Sequence, residues 1–262
     1  MRILVAVKQV AKLAERVTFD GPARVSPAAV SWQLNEWDRS SLETAVRLAE
    51  GCEASAGAEV VAVSVGDEHA EQGLRACLAG GADRALRVWD PQLEDADPLA
   101  LATVLAAVAR EERPDLILCG AQSSDAAHAA TGVALAGLLD LARVAVVGAI
   151  ERDGERLTAQ RELDGGALEV LRLSLPALLT IQTHINEPRH PTLREIKRAR
   201  AKPLAALGLA ELGLDGDAVR AAAGSRTLRL LSPEPGGALM LDGSASAIAE
   251  RIAEIVRTRV GA

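Results

Sequence analysis

The sequence predicts an α/β fold of Rossmann-like type: a mostly parallel sheet with crossover helices, an added antiparallel hairpin, and an extended C-terminal arm ending in a helix. Three observations carry that expectation. Short apolar runs alternate with segments of helical period over the first 150 residues, a D-G-G turn divides two strand-like runs near residue 165, and prolines punctuate the chain beyond residue 185.

Parallel strands covered on both faces read as unbroken apolar runs. Residues 3–7, 59–65, 85–88 and 115–119 have that character, and 144–147 is a fifth such run. Between them Leu42, Ala45, Val46 and Ala49 share one helical face behind a capping-box pair, Ser40 and Glu43, while Leu101, Val104, Leu105 and Val108 repeat the spacing. A further helix is expected over 126–139. Runs 157–163 and 168–173 flank Asp164, Gly165 and Gly166, a strong hairpin signal, so antiparallel strands are expected to join the sheet there. Residues 177–182 read as one more buried strand. After it Pro188, Pro191, Pro203, Pro233 and Pro235 mark an extended tail, closed by a helix with Ile248, Ile252, Ile255 and Val256 on one stripe.

Composition narrows the function classes. The 262 residues carry 29 basic and 36 acidic side chains, net −7, with one Phe, three Trp and no Tyr, which removes both the phosphate-neutralising field and the stacking surfaces of nucleic-acid binders. The longest apolar stretches, 99–109 and 131–150, are stopped or broken by Arg110, Asp140 and Arg143, too early for a membrane span. Met1 opens directly into strand-like sequence, so no signal peptide is expected and a cytoplasmic location is. Cys52, Cys77 and Cys119 are read as reduced, mostly structural thiols, and the four histidines show no metal-ligand spacing, so no metal site is expected.

In open α/β sheets ligands sit beyond the carboxyl ends of the strands where strand order reverses, which points to the loops after Val7, Val65 and Cys119. In the third, Gly120, Ala121, Gln122, Ser123, Ser124 and Asp125 lead toward a helix whose first-turn amides can hold an anion. Small side chains admit a phosphate to that backbone, Ser123, Ser124 and Thr131 add hydroxyls, and Gln122 can read a base or ribose edge. Asp125 is assigned to capping or to ribose, since a carboxylate repels phosphate; the plain alternative is that Ser124 or Asp125 merely caps the helix. No catalytic motif is present, and the chain reads as a binder. Basic residues concentrate in 189–202, read either as a solvated face or as a Pro-bounded docking loop anchored by Leu193.

The runs 3–8, Asn35 with Asp38, 81–84, and Asn186 with Pro188 and Arg189 occur in an order that resembles the electron transfer flavoprotein β subunit. The most specific piece is 161–166 with Glu169 and 176–180, and the likeness spans nearly the whole chain. Segments 34–38, 87–90 and 122–125 look like methylotrophic-type members that serve trimethylamine dehydrogenase. The resemblance implies a heterodimer with an α subunit that carries FAD, an electron carrier rather than an enzyme. It takes electrons from a flavin dehydrogenase and passes them to a downstream acceptor. It also implies a structural AMP in this chain, held by Ala6, by Asn35, Glu36, Trp37 and Asp38, by Val65, and by the loop from Gly120 through Thr131 and Gly132. Leu193, with Arg194 and Lys197, matches the family's docking element, giving three parts: a nucleotide-binding domain at 1–185, a recognition loop at 186–202 and a C-terminal arm at 203–262 that packs on the α subunit. Alanines at 121, 126, 127, 129 and 130 leave fewer side-chain contacts to AMP than many relatives have, and Leu13 replaces a flavin-neighbouring aromatic. A stand-alone nucleotide module of universal-stress type is the alternative, and an adenylating or pyrophosphatase-like enzyme is disfavoured by the sequence after the first strand.

Overall fold

The first strand, β1 (Arg2–Ala6), turns Ile3 and Val5 to one face and Leu4 and Ala6 to the other, and all four are buried. A strand apolar on both faces needs cover on both. The computed structural model, which describes residues 1–14, 17–22, 24–52, 57–154, 156–231 and 237–260, supplies it. After β1 come an antiparallel ribbon of β2 (Gln9–Leu13) and β3 (Val30–Leu34), then α1 (Glu36–Glu50), β4 (Glu59–Val65), α2 (Ala70–Ala79), β5 (Arg84–Val88), α3 (Pro98–Glu112) and β6 (Leu116–Gly120). Next follow α4 (Thr131–Leu138), β7 (Ala142–Val147), β8 (Ala149–Asp153), β9 (Arg156–Glu162), β10 (Leu168–Ser174) and β11 (Ala177–Ile181). The chain then runs through α5 (Leu193–Ala199), β12 (Leu204–Leu207), α6 (Gly216–Ala221) and α7 (Ala245–Val260).

Seven strands pair in the order β12, β5, β4, β1, β6, β11, β7, every pair parallel. One face is covered by α1, α2 and the β8–β10 sheet through Leu42, Val46, Leu74, Leu78, Leu157 and Ala159. The other is covered by α3 and α4 through Val104, Leu105, Val108 and Leu135. Fully burying each such aliphatic side chain is worth roughly 1.5–3 kcal/mol before ordering costs. The chain builds outward from β1 to β4 and β5, then returns to the other side of β1 with β6. Strand order therefore reverses beside β1.

Five sequence expectations change. α1 begins one turn earlier than Ser40, at Glu36; Ser40 and Glu43 lie inside the helix, where Ser40 Oγ donates to Thr183 O (3.3 Å) and Glu43 receives Arg47 and Arg189. The helix expected from residue 126 starts at Thr131, because Ala127 and Ala129 adopt left-handed backbone (φ 50° and 51°) that no α-helix tolerates. The hairpin forms with Gly165 and Gly166 at φ 82° and 80°, yet it does not extend the main sheet: β10, β9 and β8 make a separate three-stranded sheet packed on one face. Residues 203–207 are no free tail, since β12 pairs with β5 at the sheet edge and Ala85 N donates to Pro203 O. Leu193 stands not in a loop but at the first position of α5, whose N-cap Thr192 forms a capping box with Glu195.

Residues 1–228 form one compact unit and 229–262 a second. Within the second, α7 carries the expected stripe, and none of its described side chains is buried; Ile252 and Val256 are about half exposed, at 49% and 51%. No helix among the described residues is long and apolar enough to cross a membrane.

Candidate functional site

At the carboxyl ends of β1, β4 and β6 the sheet opens into a cavity of about 180 Å³. Ala6, Val7 and Lys8 contribute from β1 and its exit, Val65 from β4, and Cys119 and Gly120 from β6. The loop from Ala121 to Ala130 and the start of α4 form one wall; Ala96, Pro98, Leu101 and Leu105 form another, apolar wall from the opposite side. The loop wall is rich in backbone donors. Ala130 occupies the N-cap of α4 and has no side-chain oxygen to satisfy the first-turn amides, which Thr131 and Gly132 present beside the cavity. Gly132 is there for packing: a Cβ would meet Cys119 Sγ at 2.5 Å and Thr180 Cγ2 at 2.8 Å, so only glycine lets α4 lie this close to β6 and β11.

Two buried side chains at the start of α1, one at its N-cap and one in its first turn, hold the cavity's lips together. Asp38 accepts from Lys8 N at 2.7 Å and Gly120 N at 3.0 Å, tying the exit of β1 to that of β6. Asn35 donates to Gln122 O at 2.8 Å and accepts from Ser124 N at 3.2 Å, fixing the loop. These tertiary partners explain why Asn35 stands at the N-cap of α1 without a side-chain cap bond. Burial pushes the Asp38 carboxyl up to about 7, against the opposing pull of the Lys8 and Gly120 amides.

That placement has a signed consequence for stability. A carboxyl whose folded pKa exceeds its unfolded value near 4 favours folding most below that pH and loses the contribution as pH rises through 7. Asp38→Asn should remove the effect. The stability difference between variant and wild type is expected to shift by a few kcal/mol between about pH 4 and pH 8, at ~1.4 kcal/mol per pKa unit. Urea unfolding at a series of pH values reads this directly, and parallel profiles would overturn it.

The structure brings Ala6, Asn35, Asp38, Val65, Gly120, Ala121, Gln122, Ser123, Thr131 and Gly132 to the cavity wall. Glu36, Trp37, Ser124 and Asp125 do not line it. Glu36 is exposed, and Trp37 Nε1 donates to Gln182 Oε1 at 3.0 Å. Asp125 neither caps α4 nor faces the cavity but bridges Lys8 Nζ at 2.7 Å; burial by itself raises its pKa, and the bonds from Lys8 and Ser123 bring it below the usual carboxylate range. Lys8 and the α3 wall escaped sequence reasoning, which takes in His128 only as part of the 120–132 loop. Nothing local marks Ala96, Pro98, Leu101 or Leu105 as wall residues, since a helix from the other layer brings them in.

The basic segment divides in two. Arg189 pairs with Glu43 and Glu50 (2.8 and 2.7 Å), and Lys202 donates to the carbonyls of Leu78 (3.1 Å) and Ala82 (2.6 Å), so both tie segments of the chain together, Arg189 while still partly exposed. Leu193, 79% exposed, stands beside exposed Arg194 and Lys197 on α5, with Ile196 near it. The Thr192 and Glu195 pair was the sequence signal for this helix. Cys77 and Cys119 are buried free thiols, their pKa values pushed up to about 12 by burial, and Cys52 is partly exposed and also unpaired.

Comparison with known proteins bears on the same surfaces. Residues 24–212 match the family described as "Electron transfer flavoprotein domain". The chain is 42% identical to "Electron transfer flavoprotein subunit beta" of Methylophilus methylotrophus, with 100% of both chains covered. It is 38% identical to the subunits of that name from Bradyrhizobium diazoefficiens and Homo sapiens, over 82% of this chain and 84% of each relative. A family match across most of the chain, a full-length relative and a Rossmann-like sheet in one molecule have a single reading: this chain belongs to the electron transfer flavoprotein β-subunit family of electron-transport flavoproteins.

Proposed function

We propose that the chain is the β subunit of a heterodimeric electron transfer flavoprotein and holds AMP in the cavity beyond β1, β4 and β6. The observation that carries this reading is the two-sided cavity. Leu101, Leu105, Pro98 and Val65 offer an apolar wall for a flat base, and across from them the backbone of 120–132, Ser123 and the uncapped first turn of α4 offer donors for a phosphate. The donor set suits a nucleotide, and the AMP has a structural role. FAD, bound mainly by an α subunit, supplies the redox chemistry; this chain shapes the complex and contributes no catalytic residue of its own. A flavin dehydrogenase donates the electrons and a downstream acceptor receives them. The family match sets aside the universal-stress-type module. The exposed Ile252 and Val256 of α7 support docking of the last part of the arm, 229–260, on the α subunit, and three free thiols suit a cytoplasmic assembly.

Mass determination of the nucleotide released on denaturing the purified chain, with absorption spectra of the chain alone and co-expressed with an α subunit, tests the proposal. AMP from this chain and yellow protein only with α are expected. FAD released from this chain, or no nucleotide at all, would overturn the AMP assignment.

Docking on the dehydrogenase is assigned to α5. Leu193→Ala is expected to raise the KM for the partner dehydrogenase about thirtyfold, the equivalent of ~2 kcal/mol for an apolar anchor at an interface centre, with flavin content unchanged. Neutralising Arg194 and Lys197 should instead slow association, most visibly at low salt. Equal electron-transfer kinetics for wild type and Leu193→Ala at sub-saturating dehydrogenase would return α5 to a solvated basic face.

A further inference from the structure

Asp97 sits between two cavity residues, Ala96 and Pro98, and is 8% exposed. Its two carboxylate oxygens face different parts of the chain. Oδ1 accepts from Ala100 N at 2.9 Å and caps α3. Oδ2 accepts from Gly224 N at 2.7 Å, Ser225 N at 2.9 Å and Ser225 Oγ at 3.3 Å. Gly224 and Ser225 follow α6 and lie a few residues before the second unit begins at Arg229.

Residues 221–231 are exposed throughout, so no buried apolar side chain holds this stretch in place. A separate cavity of about 520 Å³ runs beneath it, between the 92–97 turn and residues 219–227. Three donors converging on one carboxylate oxygen therefore tie residues 224–225 to the start of α3 within the first unit. Charge-assisted bonds of this kind are about twice as strong as neutral ones, and here a single residue shares them between the cavity wall and the exit of the chain.

We propose that Asp97 couples the nucleotide cavity to the C-terminal segment: a ligand seated against Ala96 and Pro98 fixes the start of α3, and with it the carboxylate that holds Gly224 and Ser225. Asp97 is a positioning residue in this scheme and does not touch the ligand. The coupling rests on the nucleotide reading of the cavity, and by linkage it works in both directions, so releasing the segment weakens nucleotide binding.

Hydrogen exchange at the Gly224 and Ser225 amides of the full-length chain, stripped of nucleotide and then titrated with AMP, tests it. AMP is expected to slow exchange there about tenfold, and Asp97→Ala to exchange fast with or without AMP. Because Asp97→Ala also removes the α3 cap, Ser225→Pro serves as the second variant: it deletes the Ser225 amide and hydroxyl donors at an exposed position and leaves the cap intact. Ser225→Pro should lower AMP affinity about three- to tenfold by calorimetry, an effect that a carboxylate acting only as a helix cap would not produce. AMP binding with unchanged exchange in wild type, or unchanged affinity in Ser225→Pro, would overturn the coupling alone. Failure of wild type to bind AMP would overturn the nucleotide reading and the coupling with it.

Discussion

Gly120→Ala is expected to destabilise the fold by roughly 1–3 kcal/mol, and Gly120→Val by more, because the missing side chain points into packed protein. A Cβ there would press on Asp38 Oδ1 and lie 2.6 Å from Trp37 Cβ and 3.2 Å from the backbone N of Asp38. α1 cannot retreat cheaply, since Asp38 holds its first turn to Lys8 and Gly120 while Asn35 holds it to Gln122 and Ser124. Bulk at Gly120 looks from the sequence like a way to exclude a phosphate. The structure makes it first a folding lesion, with nucleotide loss as a consequence. Urea midpoints and AMP content per chain measure the two effects, and an unchanged midpoint for Gly120→Ala would refute the packing argument. Ser123→Ala, which removes one hydroxyl from the cavity wall, is the cleaner probe of the ligand. It should weaken AMP by roughly fivefold, at about 1 kcal/mol per lost hydrogen bond, with a smaller loss of stability than Gly120→Ala.

Glu43→Ala is expected to cost about 2–3 kcal/mol, below the 3–5 kcal/mol typical of breaking a fully buried pair, because the two partner guanidiniums remain partly solvated. The Glu43 side chain is 4% exposed and receives Arg47 Nε (2.6 Å), Arg189 Nε (2.8 Å) and Arg189 N (3.1 Å), whereas Arg189 and Arg47 are 38% and 53% exposed. Burial by itself raises the Glu43 pKa; the bonds from Arg189 and Arg47 outweigh it and leave the carboxyl below its ordinary 4.5. The stabilisation is therefore fully present above that range and is lost as pH falls through the folded value. Glu43 also clips 186–189 to α1, beside the bonds from Asn186 to Ser40 O and Thr44 Oγ1. Freeing that clip should move α5, so Glu43→Ala should raise the KM for the partner dehydrogenase even with Leu193 intact. Thermal melts from about pH 2 to about pH 8, a range that runs well below the ordinary carboxylate value of about 4.3, and steady-state assays check both halves. A variant as stable as wild type at pH 7, or one with unaltered KM, would count against the corresponding half.

The sequence by itself determined the central sheet, because the middles of strands buried on both faces must be apolar at successive positions, and 3–7, 60–63 and 116–119 are. It determined the hairpin, since consecutive glycines at positive φ can be read from Gly165 and Gly166 alone. It also located the cavity, for once strand order reverses beside β1 the carboxyl ends of β1, β4 and β6 are the place where a ligand meets backbone. Tertiary structure decided where the helices begin. Ser40 resembles an N-cap until its hydroxyl finds Thr183 O, and nothing in a run of alanines announces that Ala127 and Ala129 turn left-handed and delay α4 to Thr131. It decided the fate of the polar side chains as well. Asp125 carries the same signal as a cap or a ligand contact, and only the approach of Lys8 across the sheet makes it an ion pair; Arg189 belongs by sequence to a basic run, and only the buried Glu43 turns it inward. The physical reason is common to all of these. Burial on both faces and left-handed glycines are constraints on a residue and its immediate neighbours, whereas a hydrogen bond to a partner tens of residues away exists only after the layers have packed, and the energy it contributes then overrides local preference.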